Sequence, residues 1–402
     1  MRKESIMTSA RKMFVRLAVL VPIISFAIIC ASAEDHKVLV VSGSGQNCPQ
    51  AQFTRIQDAI DAAAPKDSIH ICKGVYNEQL HIDKSLDINA NYDVFLMPQH
   101  VLSNATSLPS GDPVGAVIYA SNAEGISLSG LTLEGFDSGL NSCTPHLVGV
   151  YFQNASGVLN WLRIRNFRLR PGLRGCRSGT GVFVQSGKGG KSTVEIENVF
   201  IQNYQKNGIT ADEAGTTVII HDNIVTGIGA TSGAVQNGIQ VGFGATGIVS
   251  KNTVTNNIWS PCQAATICRA LATDILVVQS NNVKVIDNKV GLGQVGIFMT
   301  GNKGLVARNE IFAIKVFNGV RVKGNANIVA QNTILDSVQS DVFVQGNGNS
   351  IEENTLAKAP VGILKTNNSS GNKVRNNKYV VVAVPVRDSP AGTIAPKVAA
   401  IR

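Results

Sequence analysis

A short apolar strand signature returns nine times along this chain, and it constrains the fold more than any other feature. Each copy opens with Gly or Asp followed by Val or Ile: Gly149-Val150, Gly181-Val182, Gly208-Ile209, Gly238-Ile239, Asp274-Ile275, Gly296-Ile297, Gly319-Val320, Asp341-Val342 and Gly362-Ile363. Between 13 and 17 residues later an Asn closes a second apolar run, at Asn166, Asn198, Asn223, Asn252, Asn288, Asn309, Asn332, Asn354 and Asn377. The last five openings are spaced by 22, 23, 22 and 21 residues, and the earlier intervals of 32, 27, 30 and 36 are the same unit with loop insertions. No segment between copies carries a 3.6-residue apolar period, so alternating strands and helices are excluded. The remaining solution is a solenoid whose coils stack in parallel register, about 4.8 Å apart. Val182/Val184, Ile297/Met299 and Val342/Val344 then point inward. The Asn column is structural, because an amide can both donate and accept along the stack, whereas a metal ladder needs carboxylates.

The ends of such a stack need covers. Residues 53–64 (FTRIQDAIDAAA) space Phe53, Ile56, Ile60 and Ala63 as a short amphipathic helix, stopped by Pro65 and followed by strands over 68–72 and 79–88. Residues 90–120 read as irregular, and 126–136 return to strand alternation. The stretch 378–402 reads as a tail that lies along the last coil or hangs free.

The 402-residue chain has a formal charge of +9 and seven cysteines, a balance that invites a nucleic-acid partner. Residues 1–33 remove that invitation. Arg2, Lys3, Arg11, Lys12 and Arg16 precede an apolar run over 17–29, and Ala31-Ser32-Ala33 is a small-residue cleavage site, the layout of a secretory signal. The expected mature chain carries 31 bases against 26 acids and six cysteines. It is expected in the periplasm or outside the cell, disulfide-bonded, without nucleic acid, cofactor or metal, and without stable membrane insertion. Cys143 lies six residues before Gly149 and Cys176 five before Gly181, so stacked coils bring them within disulfide range. Cys262 pairs with Cys268 inside one insertion, and Cys48 with Cys72 joins the cap to an early strand.

The run IQDAIDAAAPKDSIHICKGVYNEQLHI (56–82) resembles the N-terminal cap signature of right-handed parallel β-helix proteins of the pectin-lyase-like superfamily, with Lys66 where Gly is usual. The Asn-ended coils resemble their repeats. The resemblance implies an all-β domain over 34–377, a right-handed parallel β-helix with a short N-terminal capping helix. It does not imply one activity, since the fold hosts many. The chain lacks the Asn-Thr-Asp, Asp-Asp and Gly-His-Gly motifs of polygalacturonase-like hydrolases, the Gln-Asp-Thr segment of pectin methylesterases and the Asp-Pro-His-Asp motif of alginate epimerases. It also lacks an Asp cluster like the calcium sites of pectate lyases.

Chemistry concentrates in 138–194, which holds eight bases and no acid, more charge than the expected mature total of +5. Alternation along a strand turns Arg163 and Arg165 to solvent and Ile164 inward, so the two guanidinium groups can pair with carboxylates of an acidic polysaccharide. A solvated basic face is the competing explanation. Counting two and four residues past each strand opening gives outward positions, among them Tyr151/Gln153 and Phe183/Gln185. An exposed aromatic beside a Gln stacks on a sugar ring and binds its hydroxyls, unless loops fold over this face. Asp212 and His221 belong to the densest acid/His cluster and are the candidate catalytic pair. His146, His70, His81 and His100 read as structural. Together these features point to carbohydrate-polymer binding, with a uronate lyase or C5-epimerase as one alternative and a structural or adhesive envelope protein as another.

Overall fold

Glycine opens seven of the nine repeated strands, and at five of them a side chain would collide with the neighbouring coil. A Cβ on Gly149, Gly181, Gly208, Gly238 or Gly296 would sit 2.5–2.6 Å from a carbonyl oxygen of the next coil. The computed structural model describes residues 36–44, 48–136, 138–262, 268 and 270–389, with the backbone of 397–398. Among these, the opening strands stack into one parallel face that starts at Leu80–Ile82 and Pro113–Ser121 and ends at Val361–Thr366 and Val384–Ser389. Its register joins Val150, Val182, Ile209, Ile239, Ile275, Ile297, Val320, Val342, Ile363 and Val386 in one column. All nine openings therefore align as their spacing predicts. Val182/Val184, Ile297/Met299 and Val342/Val344 are buried in the apolar interior.

Each coil contributes two further short strands, such as Thr216–His221 and Ile224–Thr231, which form two more parallel columns. The long strands Asp87–Leu96 and Ile126–Glu134 run through both columns and join them. From Trp161 onward one residue with left-handed backbone turns the bend between the columns, from Trp161 (φ 54°) and Asn198 (φ 53°) to Glu353 (φ 58°) and Asn376 (φ 55°). The next residue points inward, and from Asn223 onward it is Asn. In Asn252, Asn288, Asn309, Asn332, Asn354 and Asn377, Oδ1 accepts the backbone N–H and the Nδ2 of the ladder Asn one coil earlier, at 2.9–3.1 Å.

Two of the nine expected Asn are outside this ladder. Asn198 is the left-handed residue itself, one position early, and Val199 takes the ladder place by donating its N–H to Asn223 Oδ1 at 2.8 Å. Asn166 closes a different corner, where its Oδ1 accepts Asn203 Nδ2. Two more ladders were not anticipated. Asn327, Asn349 and Asn372 form a second one. Asn281, Asn302, Asn325 and Asn347 form a third on the surface, with the donor on the later coil.

The capping helix spans Ile56–Ala62 and buries Ile56, Ala59 and Ile60. The Glu78 carboxylate accepts its first N–H groups, from Ile56 at 2.9 Å and Gln57 at 3.1 Å. Lys66, standing where the resembling proteins carry Gly, has φ 71°, a conformation that costs glycine least. The segment 90–120 is ordered rather than irregular: Ala105–Thr106 folds back antiparallel on Pro113–Val114 as a hairpin strap. The three disulfides are Cys48–Cys72, Cys143–Cys176 and Cys262–Cys268, with Cα separations of 6.4, 5.3 and 4.9 Å. The last coil does not stop at 377. Lys378–Val380 and Val384–Ser389 pair with the coil before, so the solenoid extends to Ser389. The expected signal at 1–33 and most of the tail beyond Ser389 lie outside the described residues. No helix among the described residues is long and apolar enough to cross a membrane.

Candidate functional site

On the opening-strand face, side chains two residues past each Gly or Asp do point away from the interior, yet the strap covers the first of them. His81, Tyr119, Tyr151 and Phe183 stack ring on ring across four coils, with centroids 5.0, 5.7 and 5.0 Å apart. A polar relay runs beside them. Tyr119 donates to Gln153 Oε1 at 2.6 Å, Gln153 Nε2 donates to the Tyr151 hydroxyl at 2.8 Å, and Tyr151 donates to Gln185 Oε1 at 2.6 Å. The same amides hold the strap: Gln153 Nε2 donates to Thr106 O, and Gln185 Oε1 accepts Leu108 N–H at 3.0 Å. Tyr151 and Gln185 are fully buried, and burial pushes the Tyr151 phenol far above its ordinary pKa. Of the open and the loop-covered face that the sequence left as alternatives, the described structure has the covered one. Tyr151, Gln153 and Gln185 face outward but are spent on the strap, because a hairpin with unpaired backbone groups binds such a polar row better than water does.

Phe183 differs from its neighbours. It lines a cavity of about 100 Å³ left between strap and sheet, together with Ser107, Ser110, Asp112, His146 and Arg177. His146 Nε2 lies 3.7 Å from Asp112 Oδ2, while its Nδ1 is buried without a partner. Arg177 is exposed and forms no ion pair with a described residue. Nearby Lys206 is buried, donates to Val235 O at 2.6 Å, and has its pKa pushed down to about 7 by burial and by the Arg177 charge. Sequence reasoning missed Arg177 and set His146 aside. The signal available was their place in insertions that flank successive opening strands.

The remaining expected residues are scattered by the coil geometry. Arg163 and Arg165 lie on another column, on the strand Arg163–Arg165 with Ile164 buried between them. Arg165 pairs with Glu134 at 2.8 Å, and Arg163 lies 4.2 Å above the Tyr92 ring. The expected union of these arginines with the aromatic face is corrected, since the chain turns corners between Gln153 and Arg163. Asp212 and His221 are likewise separated. Asp212 aligns with Gln185 on the opening-strand face, where it is buried and accepts Gln240 Nε2 at 2.9 Å. His221 ends a strand of another column, between Glu195 Oε1 at 3.0 Å and Asp222 Oδ2 at 2.7 Å. Burial alone would lower the His221 pKa, but these hydrogen bonds outweigh it and the net shift is upward. His221, Glu195 and Glu197 place donor atoms within 4.8 Å of one another, a set that could hold a divalent cation or serve as an ion-pair cluster.

No protein-family model matches this chain, and no curated protein matches it. Solved structures do. A GH136 lacto-N-biosidase from Eubacterium ramulus superposes with a TM-score of 0.57 at 11% identity, over 86% of this chain and 68% of that one. The Dettilon tailspike protein gives 0.53 at 14% identity, over 85% of this chain and 68% of that one. At such identities the likeness carries the fold alone: the chain is a right-handed parallel β-helix.

Proposed function

We propose that this is an exported β-helix protein that binds a carbohydrate polymer of acidic character across the strap and its cavity. The observation that carries the proposal is the exposed Arg177 guanidinium, without an ion pair among the described residues, lining the cavity together with Phe183. A cavity of about 100 Å³ is well below the roughly 300–1,000 Å³ of sites that engulf a ligand. It suits a carboxylate or hydroxymethyl group, with the sugar ring left over the mouth and the chain running past. Arg offers that carboxylate two parallel donors, which a lysine cannot. Supporting the reading are the three disulfides, which fit an oxidising compartment, and the likeness to a structure named as a GH136 lacto-N-biosidase.

Asp112 is the one carboxylate lining the cavity, so hydrolysis by paired carboxylates has no support there. The buried, unpartnered His146 Nδ1 favours one second reading, a uronate lyase or epimerase with Arg177 as neutraliser and His146 as base. Retention on immobilised polygalacturonate and alginate, compared with neutral glucans, tests the primary reading. Acidic polymers are expected to retain the wild type at low salt, and Arg177→Ala with Phe183→Ala to elute at least tenfold more readily. Loss of all retention at low salt rejects the reading in favour of a structural role. Absorbance growth from unsaturated products moves it to the lyase.

A further inference from the structure

Three other arginines of the basic stretch, Arg168, Arg170 and Arg174, gather at a second place. Residues 166–176 leave the solenoid as a loop, and the buried Gln205 holds it from beneath. Gln205 Oε1 accepts Leu169 N–H at 2.9 Å, and its Nε2 donates to Leu173 O at 2.9 Å and Cys176 O at 3.0 Å. The Cys143–Cys176 bridge ties the same loop to the preceding coil. So fixed, the loop walls a cleft of about 530 Å³ that contains Arg168, Arg170 and Arg174, with Asn141 and Asn166 beside them and Phe136 at the edge.

Among the described residues that line this cleft there are three arginines and no Asp or Glu. The Nε atoms of Arg168 and Arg174 are both buried without a hydrogen-bond partner. Burial, and then the Arg174 charge, lower the Arg168 pKa, so the two guanidinium groups feel one another directly. Glu134, which neighbours the cleft, is already occupied by Arg165 Nε, Asn166 Nδ2 and the Phe136 N–H. Two guanidinium groups held together by a disulfide and a three-bond clamp are costly unless an anion joins them. Phe136 meanwhile leaves 66% of its surface in solvent.

We infer that this cleft is a binding subsite for an anionic sugar residue, whose charged group bridges Arg168 and Arg174 while its ring lies against Phe136. The volume fits a monosaccharide or disaccharide unit, which the smaller cavity does not. The inference rests on the acidic-polymer reading above and names where the charge is recognised. A uronate carboxylate and a sulfate ester share the required chemistry, a planar or tetrahedral oxyanion that takes parallel N–H donors.

Titration calorimetry of the mature protein with a trigalacturonate, a sulfated disaccharide and a neutral trisaccharide tests it. The neutral sugar is expected not to bind. At least one anionic sugar is expected to bind, more weakly as salt rises, and to lose tenfold or more in Arg168→Ala with Arg174→Ala. The preferred sugar identifies the oxyanion. Arg170→Glu, at an exposed position that leaves the fold intact, is expected to weaken the same sugar if the double variant fails to fold. Arg163→Ala, which removes only the guanidinium over the Tyr92 ring, is expected to leave sugar binding unchanged. Anionic binding that survives both cleft changes but falls in Arg177→Ala with Phe183→Ala overturns the cleft and spares the polymer reading. Wild type that binds no anionic sugar overturns both.

Discussion

Single residues in this molecule are governed by how close neighbouring coils approach. The glycine column exists because its Cβ positions are already filled by the carbonyl oxygens of the next coil. Asp274 and Asp341 occupy the same column as fully buried carboxyls. Burial pushes the Asp341 pKa up to about 8, outweighing the opposing pull of Ser337 and the Ala357 backbone beside it. The folded state thus holds this proton more tightly than the unfolded chain. Its stabilising contribution is complete below the unfolded value of 3.8 and is lost as pH rises toward 8. Every tenfold difference in proton affinity between the two states corresponds to about 1.4 kcal/mol. Asp341→Asn is expected to be more stable than wild type at pH 8, and to flatten the fall in urea midpoint between pH 5 and pH 8. An unchanged slope would mean that Asp341 does not titrate in this range. The repeat places these two aspartates in the opening column but does not show their burial, which arises only when coils close around them.

Elements show the opposite balance, since most of them are readable from spacing. A parallel stack makes equivalent residues neighbours, so an apolar pair recurring every 21–23 residues must share one face. The Asn ladder follows the same rule, yet spacing alone places it one residue wrong at Asn198 and one corner wrong at Asn166. The sequence pattern cannot show which of two adjacent positions adopts φ near 55°, and Asn suits both the left-handed bend and the inward place after it. Replacement distinguishes them. Asn309→Ala strips the acceptor from the Asn288 N–H and Nδ2 and the donor from Val285 O. It is expected to cost about 1–3 kcal/mol for each buried group left unpaired. Asn198→Gly keeps the left-handed bend without a ladder bond and is expected to stay within about 0.5 kcal/mol of wild type. Thermal melts of the two variants check both values, and equal losses would contradict the ladder assignment.

Taken whole, the described solenoid separates charges that are adjacent in sequence. The basic stretch 138–194 supplies one ion pair with Glu134, one guanidinium at the strap cavity and three in the loop cleft. Salt should therefore act on polymer retention through two places on the surface rather than one. The Cys143–Cys176 bridge links two coils and one cleft wall at once. Cys143→Ser with Cys176→Ser is expected to lose about 2–4 kcal/mol of stability and to weaken anionic-sugar binding in the variant that remains folded. Binding unaltered in such a folded variant would show that the loop needs no covalent anchor. By itself the sequence determined the coil register, the inward columns, the capping helix and all three disulfide pairs. These depend on period and on residue type, and stacking copies at a fixed spacing leaves them no freedom. The tertiary structure alone decided exposure and company. Side-chain direction follows from strand alternation, but whether Tyr151 meets sugar or strap, and whether Arg165 meets a ligand or Glu134, depends on loops from other coils. Loops carry no period, so their placement is set by contacts that only the folded chain brings together.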